Sequence, residues 1–278
     1  MLSEVWKGCY ASVCKLQFIN ERGIEIDSLT GFKVGKSLVT CEQAFYIENA
    51  HKVEIRFVDE DANTMTSCIR VDYREFINDL RVGFVNNHSD YAVFNIDFPE
   101  FASIPSLSLC ERRNHPIGSS VAVFSYNYGQ KNLNIRSAII SSAYSNSDGV
   151  RYLQIDGLTC SGNSGAPVIN PETKEVIAIL SRRNSPASKT YKELLNYINQ
   201  NIEELKRING KLRVDTVDPM QVLITNQNQI KHLATNIYRY SAIGQTSAVM
   251  LDRILSYFNE QLVFEQPSVA EIAKVGVD

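Results

Sequence analysis

Gly162-Asn163-Ser164-Gly165-Ala166-Pro167 is the stretch on which the reading of this 278-residue chain turns. A serine used in acyl transfer needs an exposed hydroxyl and backbone N–H groups aimed at a developing oxyanion. Gly162, two residues ahead of the serine, lets the backbone turn so that its N–H points there. Gly162 and Ser164 are therefore the expected oxyanion donors. Gly165 permits close approach behind the serine, and Pro167 stiffens the exit into a strand at Val168-Ile169. Taken alone, the six residues also fit a Gly/Ser-rich hairpin between strands at 152–155 and 175–180.

Other segments weigh against the plain hairpin. Asp90-Tyr91-Ala92-Val93-Phe94 is a carboxylate opening an apolar strand, and Gly31-Phe32-Lys33-Val34 precedes Leu38-Val39-Thr40. Gly118-Ser119-Ser120-Val121 leads toward Tyr128-Gly129, and Tyr152-Leu153-Gln154-Ile155-Asp156 enters the serine loop. Together with the serine stretch, in this order, they resemble the chymotrypsin/trypsin-like serine protease family, particularly its bacterial heat-shock branch. The resemblance covers about residues 1–185. The serine stretch follows the family's G-[DN]-S-G-[GA]-P signature, with Ala166 a mild departure, and the Tyr128-Gly129 region lacks the family's usual Gly and Pro. The resemblance implies a mostly β fold of two antiparallel six-stranded barrels with the site between them. It implies Ser164 as nucleophile and Asp90 as the aspartate that orients the catalytic histidine.

That histidine is missing. Thr40-Cys41-Glu42-Gln43 occupies the register of the family's T-x-x-H segment, so Gln43 stands at the histidine position. A carboxamide cannot accept and release a proton near neutral pH, so it cannot act as general base. It can still hydrogen-bond, and Gln43 is expected to reach Asp90 and the Ser164 hydroxyl. His51, His88, His115 and His232 are each read as surface or locally bonded residues rather than as a displaced base. Glu42 is a poor base for an alcohol because an exposed carboxylate has too low a pKa. Cys41 and Cys160 are read as buried thiols acting as small apolar side chains. The resemblance also places Leu158 at the base of the specificity pocket, favouring an apolar side chain, with Ser181 and Arg182 alongside. Arg182 and Arg183 fall at the substrate-pairing edge.

Composition bounds the rest. Apolar content of 44% and charged content of 21% are ordinary for a folded domain, and a net charge of −3 offers no electrostatic case for nucleic acid. Six cysteines without paired spacing suggest neither a zinc site nor a disulfide scaffold. The run Asp59-Glu60-Asp61-Ala62-Asn63 lacks the spacing and glycine of a calcium loop and reads as a solvated turn. No metal or other cofactor is expected. Met1–Lys7 lacks the character of a secretory leader, no apolar run spans a membrane, and free thiols suit a reducing cytoplasm.

Along the chain, strands are expected at 13–19, 52–58, 91–96, 121–125, 136–141, 152–155 and 175–180, with a turn at Asn86-Asn87. The expected organisation is an N-terminal β-barrel at 1–103 and a C-terminal β-barrel at 104–185 plus 236–245. A helical insertion fills 186–235, and a C-terminal helix and tail fill 246–278. In the insertion, Tyr191, Leu194, Leu195, Ile198, Ile202, Leu205 and Ile208 have helical spacing with Gly210 as C-cap, and a second helix is read at 219–233. Residues 237–243 resemble the family's returning strand. Ala248, Leu251, Ile254, Leu255 and Phe258 mark the last helix. Three readings stay open: an inactive protease fold that binds peptide or protein segments in the old cleft, an active serine endopeptidase with a displaced or rearranged base, or a scaffold whose insertion at 186–235 binds a protein partner.

Overall fold

A computed structural model of the chain describes residues 2–83, 90–183, 187–208, 218–240 and 243–265. Helix α1 (Leu2–Cys9) leads into β1 (Val13–Ile19), β2 (Glu25–Val34) and β3 (Ser37–Thr40). After β4 (Lys52–Val58), β5 (Met65–Asp72), α2 (Tyr73–Asn78), β6 (Arg81–Gly83) and β7 (Ala92–Asn95), the first half is complete. These strands form one seven-stranded sheet in the order β5-β4-β1-β2-β3-β7-β6, a half-barrel. The second half has β8 (Ser120–Tyr126), β9 (Leu133–Ser145), β10 (Arg151–Thr159), β11 (Pro167–Ile169) and β12 (Val176–Arg183). Helices α3 (Ala187–Ile208) and α4 (Pro219–Tyr240) follow, then β13 (Ile243–Met250) and α5 (Asp252–Glu265). The second-half strands close as a six-stranded barrel, β10-β13-β12-β11-β8-β9. The chain is mostly β, as expected.

Period-two alternation divides the apolar residues among three cores. One lies within the N-terminal sheet, around Leu16, Phe18, Val53, Ile55, Phe57 and Phe94. A second fills the closed barrel, where Val121, Val123, Leu153 and Ile155 point inward. Their alternate neighbours Ala122, Phe124 and Tyr152 point outward and join Val13, Phe32, Val39 and Val93 in a third core between the halves. Strand β1 is buried along almost its whole length because both of its faces are covered. The acidic turn at 59–63 is capped from within: the Asp61 carboxylate accepts from the backbone N–H groups of Asn63 (2.9 Å) and Thr64 (2.7 Å).

The C-terminal third differs from the expected pattern. Helix α4 runs on to Tyr240, so 237–240 are helical rather than strand, and the returning strand is Ile243–Met250. Packing explains it. The Tyr238 ring stacks on Tyr191 of α3 at 4.2 Å, and Tyr191 Oη donates to Thr235 Oγ1 at 3.1 Å. These tertiary contacts override the strand propensity of an Ile-Tyr-Arg-Tyr run. Ala248 belongs to β13 rather than to the last helix, and His232 sits on α4 itself. Gly210 and the Asn86-Asn87 turn lie outside the described residues.

Candidate active site

The serine turn is fixed from all sides. At Gly162 the backbone has φ +93°, and a Cβ there would lie 2.6 Å from Tyr128 N and 2.7 Å from Tyr126 O. At Gly165, φ is +85°, and a Cβ would lie 2.1 Å from both Thr30 O and Thr40 Oγ1. No side chain fits either position. Asn163 between them is buried and uses its whole carboxamide. Its Oδ1 accepts from Cys160 N (2.8 Å) and Arg136 Nη1 (3.0 Å). Its Nδ2 donates to Tyr126 O (2.7 Å) and Asn127 Oδ1 (3.1 Å). Arg136 also reaches Asn127 Oδ1 at 2.8 Å and Ser125 Oγ at 3.0 Å.

Strand β2 braces the turn from the other half of the molecule. The Thr30 N–H donates to Ser164 O at 2.9 Å, and Thr30 Oγ1 donates to Gly162 O at 2.7 Å. Thr30 Oγ1 also accepts from Tyr126 N at 3.0 Å, and Thr30 O accepts from Thr40 Oγ1 at 2.7 Å. Ser164 is half-buried. Among the described residues, its hydroxyl and the backbone N–H groups of Gly162 and Ser164 have no hydrogen-bond partner.

Asp90 lies at the entry to β7, buried, with φ +58°, a left-handed conformation that Asp tolerates. Its Oδ2 accepts from Tyr152 Oη in a short hydrogen bond and from Ser181 Oγ at 3.5 Å. The Tyr152 ring stacks on Tyr144, whose hydroxyl is 2.6 Å from Ser247 Oγ. Strand β3 brings the remaining pieces together. Thr40 pairs with Ala92, two residues after Asp90, and Cys41 N lies 3.0 Å from where a Gly165 Cβ would stand.

Gln43 sits on the 3-10 turn Glu42–Phe45 that follows. It is exposed, and among the described residues its carboxamide makes no hydrogen bond. The expected contacts from Gln43 to Asp90 and Ser164 are not formed. The neighbour Glu42 approaches Asp90 instead, its Oε2 accepting from the Asp90 N–H at 3.2 Å.

Cys41 is fully buried, and desolvation pushes its thiol up to about 12, so it stays protonated and acts as a small apolar group. Cys160, expected to be buried, is only half-buried, because its sulfur turns toward Asn127 Oδ1 at 3.2 Å. Leu158 is 65% exposed on β10. Ser181 is buried, with its hydroxyl also 3.5 Å from Ser247 O. Arg182 pairs through its backbone with Ser247, and its side chain lies outside the described residues. Of the histidines, His51 is exposed, and its N–H donates to Ile19 O. His115 is half-buried in a loop, where desolvation lowers its pKa. His232 is exposed and bonded to Asn236 at 3.0 Å. His88 lies outside the described residues. Sequence reasoning did not find Thr30, Asn127, Arg136 or Tyr152, whose partners are distant in the chain and which carry no local motif.

The model of a trypsin-like peptidase domain matches residues 29–179, a span that contains Gln43, Asp90 and Ser164. Among solved structures, an inactive-form Ser-to-Ala mutant of Rv3671c from M. tuberculosis H37Rv is similar with a TM-score of 0.51 at 13% identity. The match covers 95% of this chain and 93% of that one. A serine-to-alanine form of the HtrA-type protease AlgW, solved with a tripeptide, is similar with a TM-score of 0.51 at 16% identity. It covers 71% of this chain and 63% of that one. At these identities the likeness concerns the fold. No curated protein sequence matches the chain.

Proposed function

The chain belongs to the trypsin-like peptidase family, and from that premise we propose that it has lost ordinary hydrolysis and holds extended peptide segments beside Ser164. One observation carries the reading. The residue in the register of the family's general base is Gln43, exposed and with a carboxamide that makes no hydrogen bond among the described residues, while the turn around Ser164 is braced on all sides. Loss of one triad member leaves only about 10³–10⁴-fold catalysis over water, from the oxyanion hole and binding. Ser164 then serves as part of a surface rather than as a nucleophile.

A peptide reading draws support from strand β12. Its pairing with β11 ends at Ile179, whereas β13 continues alongside as far as Arg183. Among the described residues, 181–183 therefore have no strand paired on that side, next to the serine turn. An extended peptide adds to such an edge through main-chain hydrogen bonds. A protein of similar fold, a serine-to-alanine form of the HtrA-type protease AlgW, was solved with a tripeptide.

Fluorophosphonate labelling of Ser164, followed by intact mass, tests the loss of hydrolysis. The natural chain stays unlabelled, and Gln43→His raises the labelling rate by about 10²-fold or more, the usual contribution of a positioned base. Rapid labelling of the natural chain that vanishes in Ser164→Ala would overturn the reading in favour of an active endopeptidase. For binding, the probe is an array of immobilised ten-residue peptides. Uniform absence of signal removes the peptide half of the proposal.

A further inference from the structure

Helices α3 and α4 form an antiparallel hairpin. Tyr191 meets Thr235 and Tyr238 at one end, and Lys231 Nζ donates to Asn199 Oδ1 at 2.8 Å nearer the middle. The inner face buries Ile198, Ile202 and Ile224. On α4 that inner face continues through Lys231 and Thr235, so much of it is polar. The outward face is more apolar. Leu223, Ile230 and Ile237 recur every seven residues, Leu233 falls between the last two, and these four side chains are 43–63% exposed. That is an a/d seam of a coiled coil, turned to solvent. Helical periodicity and the antiparallel arrangement put Leu194 and Tyr197 of α3 on the same side of the hairpin, 41% and 66% exposed.

We propose that this face pairs with the same face of a second copy of the chain, α4 lying parallel to α4 across a two-fold axis. Charge selects the occupant. On α4, the helix that pairs, the positions flanking the seam hold Gln227, Gln229, Ala234 and Asn236, with no charged residue; Glu193 and Glu204 lie farther out, beside Tyr197 of α3. A membrane-surface helix carries Lys and Arg beside its apolar stripe, and a charged partner needs complementary charges to recognise. A second copy sets neutral flank against neutral flank. Composition fits a pair: in a parallel coiled coil, β-branched residues at a with Leu at d, as in Ile230, Leu233 and Ile237, favour two strands. Asn226 occupies the preceding d position, where its carboxamide meets its own copy, donor to acceptor, and sets the register. Six half-exposed large side chains, at roughly 100 Å² each, offer on the order of 600 Å² per copy, near the ~800 Å² per partner of a standard interface.

The test is sedimentation of the full chain at tens of micromolar, beside an Ile230→Asp/Leu233→Asp variant. The expected result is twice the monomer mass for the natural chain and the monomer mass for the variant, with unchanged circular dichroism. Because these side chains face solvent, the variant keeps its fold. Ile237→Cys should give a disulfide-linked dimer under mild oxidation, since only a parallel register brings that position against itself. A monomer at these concentrations would overturn the proposal, as would a dimer that survives the double substitution. Binding of the natural monomer to anionic phosphatidylserine vesicles would overturn it too, assigning the face to lipid. None of these variants touches Ser164 or Gln43, so the outcome is independent of the labelling experiment.

Discussion

The two sides of the candidate site are built to different standards. The serine turn has two glycines that admit no side chain, an asparagine with a saturated carboxamide and a threonine from the opposite half tied to it by two hydrogen bonds. The turn bearing Gln43 offers an exposed side chain with no hydrogen bond among the described residues. The contrast teaches that the serine turn is also a joint. Thr30, Thr40 and Gly165 weld the half-barrel to the closed barrel, so the turn is needed for folding whether or not it performs chemistry. A well-formed Gly-Asn-Ser-Gly turn is then weak evidence of catalysis by itself, and the decisive residue is the unsupported one.

Substitutions on the two sides can break this contrast. Gly165→Ala should cost the most, about 4 kcal/mol, because it adds strain in a left-handed backbone to a collision with Thr30 O and Thr40 Oγ1. Urea denaturation gives the value, and near-native stability would mean the halves are not joined there. Asn163→Ala should follow at about 3 kcal/mol, since it strands the Cys160 N–H and Tyr126 carbonyl and takes one of three partners from the Arg136 guanidinium. Tyr152→Phe removes one hydrogen bond to the buried Asp90 carboxyl and should lower stability by about 1–2 kcal/mol in the same assay. Gln43→Ala sharpens the comparison from the other end: its thermal midpoint should correspond to a change within about 0.5 kcal/mol, as for an unengaged surface residue. A large loss there would mean that Gln43 holds the site together after all.

The parts that were legible in the sequence are those whose cause is local. Strands 13–19 and 52–58 are read to the residue because each is a β-rich run bounded by turn residues. The serine turn shows in its glycine spacing together with the ordered segments around it. The bracing network is invisible because its members meet across the fold: Thr30 to Tyr126, and Asp90 to Tyr152. The end of α4 misleads for the opposite reason. Its last residues favour a strand locally, while the opening of β13, Gly244-Gln245-Thr246-Ser247, has little apolar signal. Helix α2 was readable and missed. Asp72 followed by Glu75 is a start signal, and Asp72 Oδ1 does accept from Arg74 N at 2.8 Å.

The insertion leaves from β12 and returns through β13, and these strands are direct neighbours, with Arg183 opposite Thr246. Adjacent antiparallel strands need only a turn of about two to five residues between them. The two helices are therefore a side branch on a circuit already complete without them. Such a branch can be lengthened, exchanged or excised while the barrel keeps its register, because everything that closes the barrel lies on the strands to either side of its base.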